Sequence, residues 1–109
     1  MKKVNKLIGT ELDFWVLMAR NVGYGMGPDD AKASAKLAIH MIGASPSRNW
    51  AEGGAIIEGH GICLNRKGRP SRWVASIKGV HKSGDTALVA AMRTYVASVY
   101  GDEVSDGTT

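Results

Sequence analysis

Apolar side chains recur at helical spacing in three parts of the chain. Leu12, Trp15, Val16 and Ala19 share one face of a 3.6-residue repeat and predict a first helix from about Glu11 to Asn21. Thr10 followed by Asp13 has capping-box spacing, with aspartate standing in for the usual glutamate. Gly23-Tyr24-Gly25-Met26-Gly27-Pro28 ends this helix, because repeated glycine favours turns and proline cannot continue a helix. A second helix is expected to begin at Asp29 or Asp30, through an Ala/Lys-rich stretch, and to stop at Gly43. Its last part, Leu37 to Ile42, fits either i,i+4 helical pairs or a short buried strand. The third helix runs from Thr86 to Tyr100, capped by Ser83-Gly84-Asp85 and ended by Gly101. Its stripe is Leu88, Met92, Tyr95, Val96 and Val99.

The remaining apolar runs are short. Residues 1–8, with Val4, Leu7 and Ile8, fit an edge strand. Ser45 to Gly54, SPSRNWAEGG, has no helical or strand period and is expected to be a shaped loop. Ala55 to Glu58 forms a brief apolar run, Gly59-His60-Gly61 interrupts it, and Ile62-Cys63-Leu64 resumes. Arg72 to Ile77 is the clearest strand, and Asn65 to Pro70 carries hairpin-turn chemistry ahead of it. The expected fold class is therefore α+β: a short antiparallel sheet of two to three strands, with two or three helices packed on one face. Residues 1–109 read as one small domain with a frayed tail over 101–109. An exposed sheet edge would allow pairing into a homodimer.

Composition narrows the class. An apolar fraction of 44% excludes a disordered chain. No stretch approaches the roughly 20 apolar residues of a membrane span. Lys6, Glu11 and Asp13 interrupt the N-terminal apolar run, so no secretion signal is expected. The single cysteine, Cys63, precludes an internal disulfide and fits a reducing cytoplasm. The net charge of +4 is unevenly spread: no acidic residue lies between Glu58 and Asp85, an interval holding six of the 14 lysines and arginines. That basic segment reads first as a solvated hairpin tip kept soluble and unpaired by its charge, and second as a footprint for an anionic partner.

Candidate chemistry concentrates in the 45–58 stretch. Ser47 and Arg48 offer hydroxyl and guanidinium donors suited to phosphate or carboxylate. Trp50 is placed either to stack on a ligand or partner or to plug the core. Gly53 and Gly54 let backbone N–H groups approach an anion, or simply turn the chain; the spacing is not that of a phosphate-binding loop. Glu58 and His60, two apart, would share a strand face and could serve acid–base chemistry, but no third partner stands beside them. Arg93, beside the apolar stripe of the last helix, either reaches Glu58 or an anion, or covers apolar surface with its stem. A separate set, Arg66, Lys67, Arg69 and Arg72 with Trp73, could contact nucleic acid. No spacing points to a metal site or a cofactor.

Three segments together resemble one family. Leu7 to Trp15 is similar to an LxGxxLDxxV opening. Pro46 to Glu58 resembles a PSxxWxxGGxIIE signature. Thr86 to Val96, with Gly101-Asp102-Glu103-Val104, resembles a TxLxAAMRxYV…GDEV close. The family is that of the phage NinX-like proteins, small products of tailed phages and prophages. The resemblance implies a phage or prophage accessory protein acting in the bacterial cytoplasm. It brings no catalytic residues; Trp50, Gly53, Gly54, Glu58 and Arg93 match its motifs. The stretch between Gly23 and Ala44 departs from it.

The leading expectation is a non-enzymatic accessory protein that binds a host protein or an anionic small molecule and so counters a bacterial defence system. The alternative is a nucleic-acid-binding protein using the basic hairpin 66–82. A small hydrolase or nucleotide-processing enzyme using Glu58 and His60 is the third, and it lacks a convincing nucleophile–base–orienter set.

Overall fold

The C-terminal helix α4, Ala87–Tyr100, organises the molecule. In the computed structural model, which describes residues 1–68 and 72–105, every residue of α4 from Ala87 to Ala97 except Val89 is buried. Thr86 is its cap: Thr86 Oγ1 accepts from Val89 N at 3.1 Å, so the helix begins just beyond the Ser83-Gly84-Asp85 expected to cap it. A helix buried on nearly all sides must be surrounded, and α4 touches a sheet on one flank and two helices on others.

That sheet is antiparallel, in the order β2 (Cys63–Lys67), β3 (Arg72–Ile77), β4 (Val80–Gly84). β3 coincides with the strand read from the sequence. Cys63 pairs with Ser76 and Lys67 with Arg72, which establishes the expected β2–β3 hairpin; Arg69 and Pro70 of its turn lie outside the described residues. β4 was not anticipated, because Val80-His81-Lys82-Ser83-Gly84 has a single large apolar residue. Its position comes from the Lys78–Gly79 turn, where both residues have positive φ, 50° and 83°, as a two-residue hairpin requires. Ala75, Ile77 and Gly84 face α4. A Cβ on Gly84 would lie 2.8 Å from Ala90 N, so the missing side chain permits the close approach of β4 to α4. Thr94 Oγ1 bridges the same seam, meeting Ala90 O at 2.8 Å and Ala75 O at 3.2 Å.

The other helices pack around α4 and one another. α1, Gly9–Gly23, is longer than expected and buries Leu12 through Ala19. Phe14, Trp15 and Tyr100 meet edge to face, with successive centroids 5.3 Å apart. α2, Pro28–Leu37, runs on as a π-helical turn over Ala38–Ile42 and ends at Gly43, whose φ is 74°. The helical reading of Leu37 to Ile42 therefore holds and the strand alternative falls. Asn21 Nδ2 donates to Ala31 O at 3.1 Å, a buried tie between α1 and α2.

α3 occupies Trp50–His60, where the sequence suggested a loop followed by an apolar strand. Asn49 starts it, its side chain accepting from Ala51 N at 2.8 Å, and Gly61 ends it with φ of 66°. The N-terminal edge strand is also shorter than expected: only β1, Lys2–Lys3, pairs as a strand, and a 3₁₀ turn follows over Val4–Lys6. β1 pairs with β5, Glu103–Val104, within the 101–109 segment, and Val104 is buried; residues 106–109 lie outside the described residues. Among the described residues, four α-helices with two antiparallel sheets make the fold α+β. No helix among the described residues is long and apolar enough to cross a membrane.

Candidate functional site

The site is built on a buried aspartate. Asp13 does not cap α1; Ile8 stands at the N-cap position and its side chain makes no capping bond. Asp13 instead points inward, fully buried, and accepts from Ser47 N at 2.7 Å and from Arg48 Nη2 at 3.0 Å. A buried carboxylate with a charged partner and a backbone donor is a satisfied one. It fixes the turn ahead of α3 onto α1. The turn is closed internally as well, since Arg48 N and Asn49 N both donate to Ser45 O at 2.9 Å. Glu52 reaches back from the first turn of α3 to accept from Ser45 N at 3.1 Å.

Gly53 completes the local fit. A Cβ there would stand 2.4 Å from Pro46 O and 2.6 Å from Leu88 Cδ2. Only glycine lets α3 lie this close to its own leading turn and to α4. These tertiary contacts make a helix of a segment whose glycines suggested a loop.

The arrangement brings the starts of α1, α3 and α4 to one cleft of about 410 Å³, lined by Ile8, Gly9, Ser47, Arg48, Trp50, Thr86, Leu88 and Val89. Helix starts carry a partial positive charge of about half a unit each, although the Asn49 and Thr86 side chains already take Ala51 N and Val89 N at α3 and α4. The first turn of α1 has no side-chain cap. Ser47 is 2% exposed and its Oγ has no hydrogen-bond partner among the described residues. Trp50, 58% exposed, and Ile8, 64% exposed, form apolar shoulders. The cleft is thus mainly apolar, with donors gathered at the helix ends.

Of the residues proposed from sequence, Ser47, Arg48 and Trp50 meet here. Gly53 and Gly54 lie within α3, and Gly53 N donates to Asn49 O at 2.8 Å, so their role as an anion-binding turn is replaced by helix packing. Glu58 is exposed near the far end of α3. It does not share a strand face with His60: two residues apart on a helix, they diverge by roughly 200°. Arg93 is 8% exposed and committed elsewhere, donating from Nε to Leu7 O and from Nη1 to Ser83 O, each at 2.9 Å. It ties α4 to the segment before α1 and to β4. Burial pulls its guanidinium below the ordinary value; the charge of Arg72 acts the same way and Asp85 opposes both.

The basic hairpin is divided by strand alternation. Arg66 sits over the half-buried Trp73 ring at 5.6 Å, while the neighbouring Lys67 and Arg72, paired across the strands, lie on the opposite face. Arg72 also approaches Asp85 at 3.8 Å. Arg69 lies outside the described residues.

A second cavity, also about 410 Å³, lies between the end of α1 and the length of α3, and it was not foreseen. Asp13 was missed too, although a carboxylate flanked by Leu12, Phe14 and Trp15 inside an apolar helix is a readable sign of a buried anchor.

The family model described as Bacteriophage P22, NinX matches residues 3–99. The chain belongs to this family. The match runs through the Gly23–Ala44 stretch that was expected to depart from the family. NinX membership makes the chain a phage accessory protein. No curated protein matches it.

Proposed function

We propose that this NinX protein acts without catalysis, by binding a small anionic ligand with an apolar body in the cleft where α1, α3 and α4 begin. The observation that carries this reading is the Ser47 hydroxyl, buried and unpartnered beside three helix starts. A buried hydroxyl without a partner is costly, and a ligand acceptor would satisfy it. The N–H groups of the helix starts supply the positive end for an anion. Arg48 is half committed to Asp13 through Nη2 and offers its remaining donors toward a carboxylate or phosphate. Trp50 and Ile8 would cover the apolar body. Sequestering a host-made ligand of this kind would blunt a bacterial defence system; that setting is an inference from the phage origin.

The test is native mass spectrometry of protein purified from its bacterial host, followed by denaturation and analysis of what is released. A bound small anion that is retained by wild type and lost in Arg48→Ala and Trp50→Ala supports the reading. Ser47→Ala should not lower the stability of the empty protein, and should raise it slightly, because it removes a buried hydroxyl that has no partner among the described residues; it should also weaken ligand retention. Clean apoprotein from the host, together with no effect of these three variants on any binding, would discard it. The nucleic-acid alternative retains the exposed Arg66 and Lys67 as support, and predicts affinity that falls steeply with salt. Alternation to opposite faces makes it the weaker reading.

A further inference from the structure

The second cavity has a chemistry distinct from the first. Its walls are Arg20, Gly23 and Tyr24 from the end of α1 and Glu52, Ala55, Ile56, Gly59 and His60 from α3, with Tyr95 of α4 as the floor. Aromatic rings face it from three elements. Tyr24 is 74% exposed, and the Arg20 guanidinium lies 5.9 Å from its ring. His60 stacks on the buried Tyr95 with centroids 4.7 Å apart at 42°. Between these rings stand two glycines, and a Cβ built on Gly23 or Gly59 would meet nothing within 4 Å. The result is an open gap flanked by aromatic surfaces.

The polar groups bracket that gap. Arg20 Nε and Nη2 make long contacts to Asn21 Oδ1, 3.4 and 3.3 Å. Glu52 spends part of its carboxylate on Ser45 N and faces the same space. An arginine, a carboxylate and stacking rings around a slot of this volume suit a planar ring that carries hydrogen-bond donors and an anionic group.

We infer that this cleft is a second binding site, for a planar heteroaromatic anion with the chemistry of a nucleoside monophosphate. The ring lies between Tyr24 and the His60–Tyr95 pair. Arg20 meets the phosphate, and Glu52 accepts from an exocyclic amine or ring N–H. This site does not depend on the cleft at the helix starts.

Titration of ¹⁵N-labelled protein with 5′-AMP and 5′-CMP, with inorganic phosphate as the control probe, tests it. The expected result is saturable shifts centred on Gly23, Tyr24, Gly59 and His60, with Thr86 to Val89 unmoved. Tyr24→Ala should weaken binding about tenfold, the scale of one lost aromatic–base stack. Thermal unfolding of that variant should be unchanged, since Tyr24 is exposed. Arg20→Gln should weaken the nucleotide by a similar factor. The inference is overturned by the absence of saturable shifts at these residues up to millimolar probe. It is equally overturned if phosphate alone binds as tightly as the nucleotides, or if Tyr24→Ala binds as wild type.

Discussion

Helices α3 and α4 lie against each other and yet draw their order from opposite sources. α4 is buried over nearly its whole length, whereas α3 has one fully buried residue, Gly53. α4 is held by the apolar area it removes from water. α3 is held by a few directed contacts at its start: the Asn49 cap, the Asp13 bonds to Ser47 and Arg48, and the clearance that Gly53 provides. The comparison teaches that a helix can be specified either by its stripe or by its entry. Only the first kind leaves a periodic trace in sequence. Both cavities adjoin the sparsely buried helix, one at its first turn and one along its flank.

Substitutions can separate the two modes. The largest effect is expected at Met92, fully buried in α4, where Met92→Ala should cost about 2–5 kcal/mol in urea unfolding. A cost below about 1 kcal/mol would mean that α4 is not the hub described. Next comes the anchor of α3: Asp13→Ala should cost about 2–4 kcal/mol, because Ser47 N is left buried without an acceptor. Hydrogen exchange should show the loss concentrated in 45–60 rather than in α4. Gly53→Ala should cost about 1–3 kcal/mol, since the new methyl must displace Pro46 O and Leu88. One residue on, the nearest atom to a new Cβ is Trp50 Cε3 at 3.8 Å, so Gly54→Ala should stabilise by about 0.5–1 kcal/mol through helix propensity. If both alanines act alike, the close-packing account of Gly53 fails.

The smallest effect appears only in alkali. Burial raises the phenols of Tyr95 and Tyr100 above their ordinary 10.0. The unfolded chain therefore releases these protons first. Their contribution is intact below about pH 10 and is lost as pH rises through the folded-state values. Unfolding midpoints at pH 9 and pH 11 should fall less for Tyr95→Phe than for wild type. Tyr100→Phe should cost nothing at pH 7 and should stabilise slightly, because the buried Tyr100 hydroxyl has no partner among the described residues.

The same contrast explains what was legible in the chain. Leu88, Met92, Tyr95 and Val96 announced α4, and the β-branched and aromatic run Arg72–Ile77 announced β3, because in both cases burial repeats with the element's own period. Trp50-Ala51-Glu52-Gly53-Gly54 concealed α3, because its glycines signal a turn unless Pro46 and Leu88 are known to lie against one of them. β4 was hidden by its polar residues and is placed by pairing with β3. Of the site, Ser47, Arg48 and Trp50 were readable from residue type. Arg93 was not, since nothing along α4 reveals that Leu7 O and Ser83 O await its donors. The Tyr24–His60–Tyr95 group joins three elements across the fold and has no local signature.

The β1–β5 ribbon bears on the order of assembly. β2, β3, β4 and α4 are consecutive in the chain, so their contacts close short loops and can form early. The Lys2–Val104 pair joins opposite ends of the described chain, and Val4 N donates to Asp102 O at 2.8 Å beside it. Such a contact gains nothing until everything between has condensed. The ribbon is therefore expected to be a latch that shuts last and opens first, which the exchange rate of the Val4 amide would report.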